Sequence, residues 1–424
     1  MAGLQKLPPE WQELDALAAA EPDRVNGATS AQALLRLFGA PQSAVRVTLF
    51  RDHHAWCPYC QKVWLWLEER RVPHRIRKVT MFCYGEKEDW YRRLVPSGML
   101  PALELDGQLI TESDRILEAL EAAFGPLGPG LQDPHVLPLR RFERQLFSLW
   151  CQWLCRQLTP AAEARAAAAF DRQAAELDRL LQQAQGPFLL GGDFSTADLV
   201  FVPYLERMNA SLAYYKGYLL RQRHCAIDAW FAALEQRSTY LGTQGDFHTH
   251  AHDLPPQMGG CHASGAGLQR QLAARIDAGP WPILPADQGD PETSQAPPPD
   301  AALEALTRVC RHQQVILQRN PLGNQAFDLP LRLALGCLIG RDPVVPPPGS
   351  AVGLRYLRDR ISVPRDMSLH AARILRRALE DTARLDPLDP AAAGPPIPLQ
   401  HRLDQDPAPF LLAADRQAAP ARDG

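Results

Sequence analysis

Hydrophobic and polar positions along this chain keep two different rhythms, and the change from one to the other divides it. Residues 45–50 form a short apolar run of strand length, and Val63, Leu65 and Leu67 follow at spacings that predict an amphipathic helix reaching about Arg71. Residues 74–79 predict a second strand, and residues 86–94 a second helix. Residues 101–105 and 108–111 then alternate around Asp106-Gly107, a dipeptide suited to the positive φ angles of a tight hairpin turn. A helix starting at Ser113, with Ile116, Leu117 and Leu120 on one face, completes a βαβ-α-ββα order over residues 45–124. Residues 1–44 read as an N-terminal extension.

The second half runs on the helical rhythm. Residues 125–138 are rich in Gly and Pro and predict a linker. From 139 to 241 apolar residues recur at helical spacing, with Trp150, Trp153 and Leu154 early and Leu177, Leu180 and Leu181 later, so this domain is expected to be all α-helical. Ser195-Thr196-Ala197-Asp198 precedes an apolar run and has the form of a capping box, which assigns Asp198 a structural role. Composition changes again at 242: residues 242–424 read as a C-terminal extension with Gly, Pro and His up to 257, a proline-rich stretch over 280–299, helices over 301–317, 329–338 and 368–383, and a mobile tail over about the last 30 residues.

At 424 residues the chain is long enough for two domains and an addition. A formal net charge of −3 supplies no field to attract nucleic acid or an anionic membrane, so neither is expected as a partner. The N-terminus lacks the basic start and apolar run of a secretory signal, and no window reaches the length of a membrane span, which predicts a cytosolic protein. Nine cysteines without a regular framework suit a reducing compartment rather than a disulfide scaffold.

Cys57-Pro58-Tyr59-Cys60 follows the first strand and opens the first helix. A sulfur at a helix N-terminus faces backbone N–H groups without partners and the positive end of the helix dipole, which favour thiolate over thiol. Pro58 suits the first helical position, where a missing N–H costs nothing. Cys60 lies one turn on, so the pair can close a disulfide or leave Cys57 to react alone. A zinc site would need two further ligands, and none clusters in the same segment, so no metal is expected. His248, His250 and His252, followed by Cys261-His262, are spaced to lie on one side of an extended loop. Such a loop could meet a metal or an anion, and is better read as folding back over the active cleft to shape an acceptor pocket.

Taken in order, these motifs resemble the glutathione transferase superfamily, in particular its cysteine-type omega, lambda and iota members, over residues 45–241. The resemblance implies a thioredoxin-like N-terminal domain and an all-helical C-terminal domain, with glutathione as co-substrate. It implies catalytic roles for Cys57 and Cys60, Cys60 either resolving the intermediate or standing by as a buried spectator. Leu100-Pro101-Ala102-Leu103 resembles the segment in which a cis proline presents the backbone of Leu100 to the cysteinyl part of glutathione. Glu112 and Ser113 resemble the γ-glutamyl site, and Lys87 the residue for the glycyl carboxylate, with Arg92 or Arg93 as substitutes. The long addition after 242 resembles that of iota-class members. The implied reaction is thiol transfer or reduction of a small or glutathionylated acceptor, such as dehydroascorbate or a quinone-type conjugate. A ligand-binding or scaffold role, or conjugation of electrophiles, stands as the alternative, and a homodimer is possible.

Overall fold

The computed structural model describes residues 8–279 and 281–388. They belong to two compact units: one takes in Pro22–Ala273 and Leu284–Gln295, the other the described parts of Met1–Glu21, Ala274–Ile283 and Ala296–Gly424. This division cuts across the linear boundaries expected at residues 44 and 242. The first helix, α1 (Trp11–Leu17), is in the smaller unit, whereas residues 22–44 belong to the larger one. The tail expected over the last residues lies outside the described residues.

In the larger unit a five-stranded sheet has the order β1-β3-β2-β4-β5. Its strands are β1 (Leu35–Arg36), β2 (Val47–Asp52), β3 (His74–Val79), β4 (Ala102–Leu105) and β5 (Gln108–Thr111). β2 and β3 are parallel, with Val47 opposite His74 and Asp52 opposite Val79, and β4 runs antiparallel to β2 with Leu49 opposite Leu103. The strand β1 was not legible in the sequence. It adds to the edge of β3, held by Arg36, which pairs with Glu68 at 2.9 Å and donates to the carbonyls of Arg24 and Gly27. Both partners of that pair are buried, so removing either would strand a charge out of water.

The helices of this domain are α2 (Pro58–Glu69), α3 (Asp89–Leu94) and α4 (Ser113–Phe124). Every residue of α2 from Cys60 to Glu68 is buried, although the pattern reads as one-faced. The helix touches the sheet, α4 and a long helix of the second domain, so between Cys60 and Glu68 no side of it meets water. α3 starts three residues later than expected because the Glu88 carboxylate turns back to accept the N–H and hydroxyl of Thr80.

The helical domain is built from α5 (Val136–Leu154), α6 (Pro160–Gln183), α7 (Thr196–Lys216), α8 (Leu220–Arg223), α9 (Cys225–Leu234) and α10 (Ser238–Leu241). α7 is its buried axis, with Trp150 of α5 donating to Ser211 at 3.0 Å. Ser195 and Asp198 form the capping box, and Asp198 also accepts from the Leu189 N–H and the Trp230 indole, which makes it a structural carboxylate.

The expected loop around the three histidines is instead a helix, α11 (Phe247–Met258), followed by α12 (Gly267–Ala278). Asp246 caps α11 by accepting the Thr249 N–H, and Gly259 ends it at φ 76°. Pro255 cannot donate to the carbonyl of Ala251, and the Tyr215 hydroxyl of α7 takes that acceptor at 2.7 Å. Tertiary packing thus replaces the bond that proline removes, and residues 242–273 join the larger unit.

The smaller unit packs α1 with α13 (Ala301–Arg319), α14 (Gly323–Leu338), α15 (Ala351–Arg360) and α16 (Leu369–Ala383). Leu14, Leu306, Phe327, Leu335, Leu354 and Leu375 form its core. The unforeseen α15 carries Arg355 and Arg358, both buried against Glu380 of α16. Among the described residues no helix is long and apolar enough to cross a membrane.

Candidate active site

Cys57 is the N-cap of α2, with Pro58 at the first helical position, and its sulfur accepts the Cys60 N–H at 3.4 Å. The strand β2 delivers Asp52 beneath it, and the carboxylate accepts the Trp56 N–H at 2.7 Å. The carboxylate and both sulfurs lie within 4.8 Å of one another. This buried third donor was invisible in the sequence, and among the described residues no fourth donor joins the set. Cys60 is 1 % exposed, and burial, then the neighbouring Cys57 and Asp52, push its thiol well above the ordinary range.

Cys57, Lys87 and Leu100 line one cavity of about 450 Å³, and Leu100, Pro101, Glu112 and Ser113 line a second of about 550 Å³. Tyr59, Met99, Leu100 and Tyr204 belong to both. The Leu100–Pro101 peptide is cis. Glu112 has φ 67° and its carboxylate makes no cap on α4, so a left-handed backbone is held where the chain turns from β5 into the helix. Lys87 donates to the Thr80 carbonyl at 2.7 Å, and burial pulls its ammonium below the ordinary range. Arg92 and Arg93 are exposed and are not among the walls. The structure therefore brings all the expected site residues to the two cavities except Cys60, which lies behind Cys57.

Sequence reasoning missed two features of the walls. Lys62, Arg140, Arg141 and Arg144 line the second cavity, balanced by Asp114 and Glu143. Phe147, Trp150, Leu254 and Met258 give the first cavity an apolar wall, the last two contributed by α11. The segment after 242 thus shapes the cleft as expected, through a helix rather than a loop.

A buried polar network ties α11 to the reactive end of α2. Glu206 accepts from His250 Nε2 at 2.7 Å, from the Gly245 N–H at 2.7 Å and from Gln61 at 3.2 Å. Arg207 donates to Gln61 and to the carbonyl of Trp56, the residue before Cys57. Gly245 has no room for a side chain, because a Cβ there would run into the His250 ring. Burial and Arg207 oppose charge on His250, but Asp253 and Glu206 outweigh them and hold it above the ordinary histidine value. The charged imidazolium therefore adds stability that is complete below the unfolded value of about 6.5 and is lost as pH rises through the higher folded value. Urea midpoints of the wild type are expected to fall from pH 6.5 upward, and that slope should vanish in His250→Gln. An unchanged slope in the variant would assign the pH dependence to other groups.

A thiol-bearing helix N-terminus on a mixed sheet, backed by a helical domain, is the architecture of a glutathione transferase. The model of the glutathione S-transferase N-terminal domain matches residues 56–123, and that of the C-terminal domain matches residues 150–242. Residues 56–123 and 150–242 thus match the two domains of a glutathione S-transferase, and the relatives the chain is similar to carry that name. It is 29% identical over 189 residues to "Probable glutathione S-transferase DHAR1, cytosolic" of Oryza sativa subsp. japonica, covering 44% of this chain and 84% of that protein. It is 26% identical over 178 residues to glutathione S-transferase omega-1 of Sus scrofa, covering 40% of this chain and 69% of that one. Among solved structures, the dehydroascorbate reductase of Chlamydomonas reinhardtii is 22% identical with a TM-score of 0.39, covering 46% of this chain and 90% of that one.

Proposed function

We propose that this chain catalyses glutathione-dependent thiol transfer, with Cys57 as the only nucleophile. The Cys57 thiolate attacks the glutathione sulfur of a mixed disulfide, the acceptor thiolate leaves, and a Cys57–glutathione disulfide forms. A second glutathione thiolate then attacks that sulfur, releasing oxidised glutathione and restoring the Cys57 thiolate. The position of Cys57 at the head of α2, in the wall of a cavity, carries the reading. Leu100 offers its backbone to the cysteinyl part, Glu112 and Ser113 receive the γ-glutamyl end, and Lys87 takes the glycyl carboxylate. The names of the DHAR and omega relatives support a reductive activity over simple conjugation. The apolar wall of Phe147, Trp150, Leu254 and Met258 suits a flat apolar acceptor such as a quinone-type conjugate, with dehydroascorbate as the competing substrate to assay. A cytosolic setting agrees with the name of the rice relative.

Cys60 is buried and holds its proton, which argues for a one-thiol cycle. Incubation of Cys60→Ser with oxidised glutathione should leave a glutathione adduct on Cys57, detectable by peptide mapping. Turnover of a model mixed disulfide should stay within about threefold of the wild type. A Cys60→Ser protein that accumulates the adduct and stops there would make Cys60 the resolving thiol. Absence of any adduct on Cys57 would overturn the mechanism.

A further inference from the structure

Two cysteines that the proposed transfer does not use line the same cleft, and a third reaches them from a distant segment. Cys151 and Cys155 stand one turn apart at the end of α5, and both line the cavity that holds Cys57. Cys261 comes to them from the segment after α11. Gly259 and Gly260, at φ 76° and 128°, turn the chain there, and the His262 N–H donates to the Leu154 carbonyl at 2.9 Å. That bond sets the residues next to its two ends, Cys155 and Cys261, side by side, and both pack against the same core. All three cysteines are reduced, half-buried and packed against the main core.

Cys151 and Cys261 both lie close enough to Cys155 to act on its charge. Those two neighbouring thiols, against burial and with help from His262 and Lys216, draw it below the ordinary thiol range, while Cys151 and Cys261 are pushed up. The carbonyl end of α5 opposes a negative charge at this position, so the two neighbouring thiols and Lys216 must outweigh it. The three groups titrate together, and the first proton lost leaves its charge at the middle sulfur.

We propose that Cys155 and Cys261 form a second, redox-active dithiol in the cleft, which takes two oxidising equivalents from a low-mass disulfide without using Cys57. The Cys155 thiolate attacks one sulfur of oxidised glutathione, forming a Cys155–glutathione disulfide and releasing one glutathione thiolate. Cys261 then attacks the Cys155 sulfur, expels the second glutathione thiolate and passes its proton to the leaving group. The sum is one oxidised glutathione and two protein thiols giving one protein disulfide and two glutathiones. Cys151 is the neighbour that tunes Cys155 rather than its partner in the disulfide. Positions four apart on a helix hold their Cβ atoms about 5–6 Å apart, whereas a disulfide needs about 3.5–4.5 Å.

The test uses the full chain carrying Cys57→Ser, so that its outcome is independent of the transfer mechanism. After equilibration with oxidised glutathione and trapping by alkylation, peptide mapping should find a Cys155–Cys261 disulfide. Adding Cys261→Ser should convert it to a Cys155–glutathione adduct. The alkylation rate of Cys155 should change by less than about twofold between pH 6 and 8, where an unperturbed thiol accelerates roughly seventyfold. A Cys155 that stays reduced in Cys57→Ser, or alkylates with the pH profile of an unperturbed thiol, would overturn the proposal. So would a disulfide that forms between Cys151 and Cys155 and survives Cys261→Ser.

Discussion

Replacing Cys57 with serine is expected to lower glutathione-dependent reduction of a mixed disulfide by at least about a thousandfold, while glutathione binding changes by less than about threefold. The serine hydroxyl keeps the N-cap position at the head of α2, so the fold and the two cavities persist. It is not ionised at neutral pH, and disulfide exchange requires a thiolate as the attacking group. Rates from a coupled assay and binding by calorimetry separate the two effects. Retention of full reductase activity would remove Cys57 from the chemistry. Undiminished activity toward a chlorinated aromatic electrophile, beside lost reductase activity, would add conjugation as a second reaction that another group supports.

Glu206→Ala should be among the most destabilising single changes in the larger unit, costing about 3–5 kcal/mol. Its carboxylate is the shared acceptor of the His250 ring, the Gly245 N–H and the Gln61 amide, all buried. Alanine leaves three donors without that acceptor, and it leaves Arg207 and His250 as charges with one balancing carboxylate fewer. The urea midpoint should drop by roughly 1–2 M at neutral pH. Because Gln61 follows Cys60 in α2 and Arg207 grips the Trp56 carbonyl, the loss should also slow Cys57 chemistry in the protein that remains folded. Glu206→Gln, which keeps an acceptor for the Gly245 N–H, should recover part of the stability. A midpoint within the error of the wild type would mean that the network contributes nothing net, as happens when desolvation offsets a buried ion pair.

The legible part of the site was the part whose chemistry is local. Cys57 with Pro58 marks a helix start because both residues act through the backbone of their own turn. Asp106-Gly107 marks a hairpin for the same reason, with both residues at positive φ. Asp52 and the trio of Cys151, Cys155 and Cys261 were not legible, since their roles depend on a strand end and a post-helix segment arriving beside groups far away in sequence. Spacing of four between Cys151 and Cys155 was the one signal of the trio in the sequence. The histidines at 248, 250 and 252 misled in an instructive way: prolines at 255 and 256 argue for a loop, but Tyr215 supplies the hydrogen bond that Pro255 withholds.

Sequence alone determined the thiol-bearing helix N-terminus, the hairpin and the helical character of residues 139–241, because each depends on periodicity or on contacts within a turn. Only the tertiary structure decided that residues 22–44 close the sheet edge through Arg36 and Glu68, that the segment after 242 becomes a helix lining the cleft, and that Glu206 links it to Cys57. Those outcomes rest on buried polar groups finding partners across long stretches of chain. A buried charge or carbonyl without a partner costs several kcal/mol, so where such groups meet, the pairing overrides what local propensity favours.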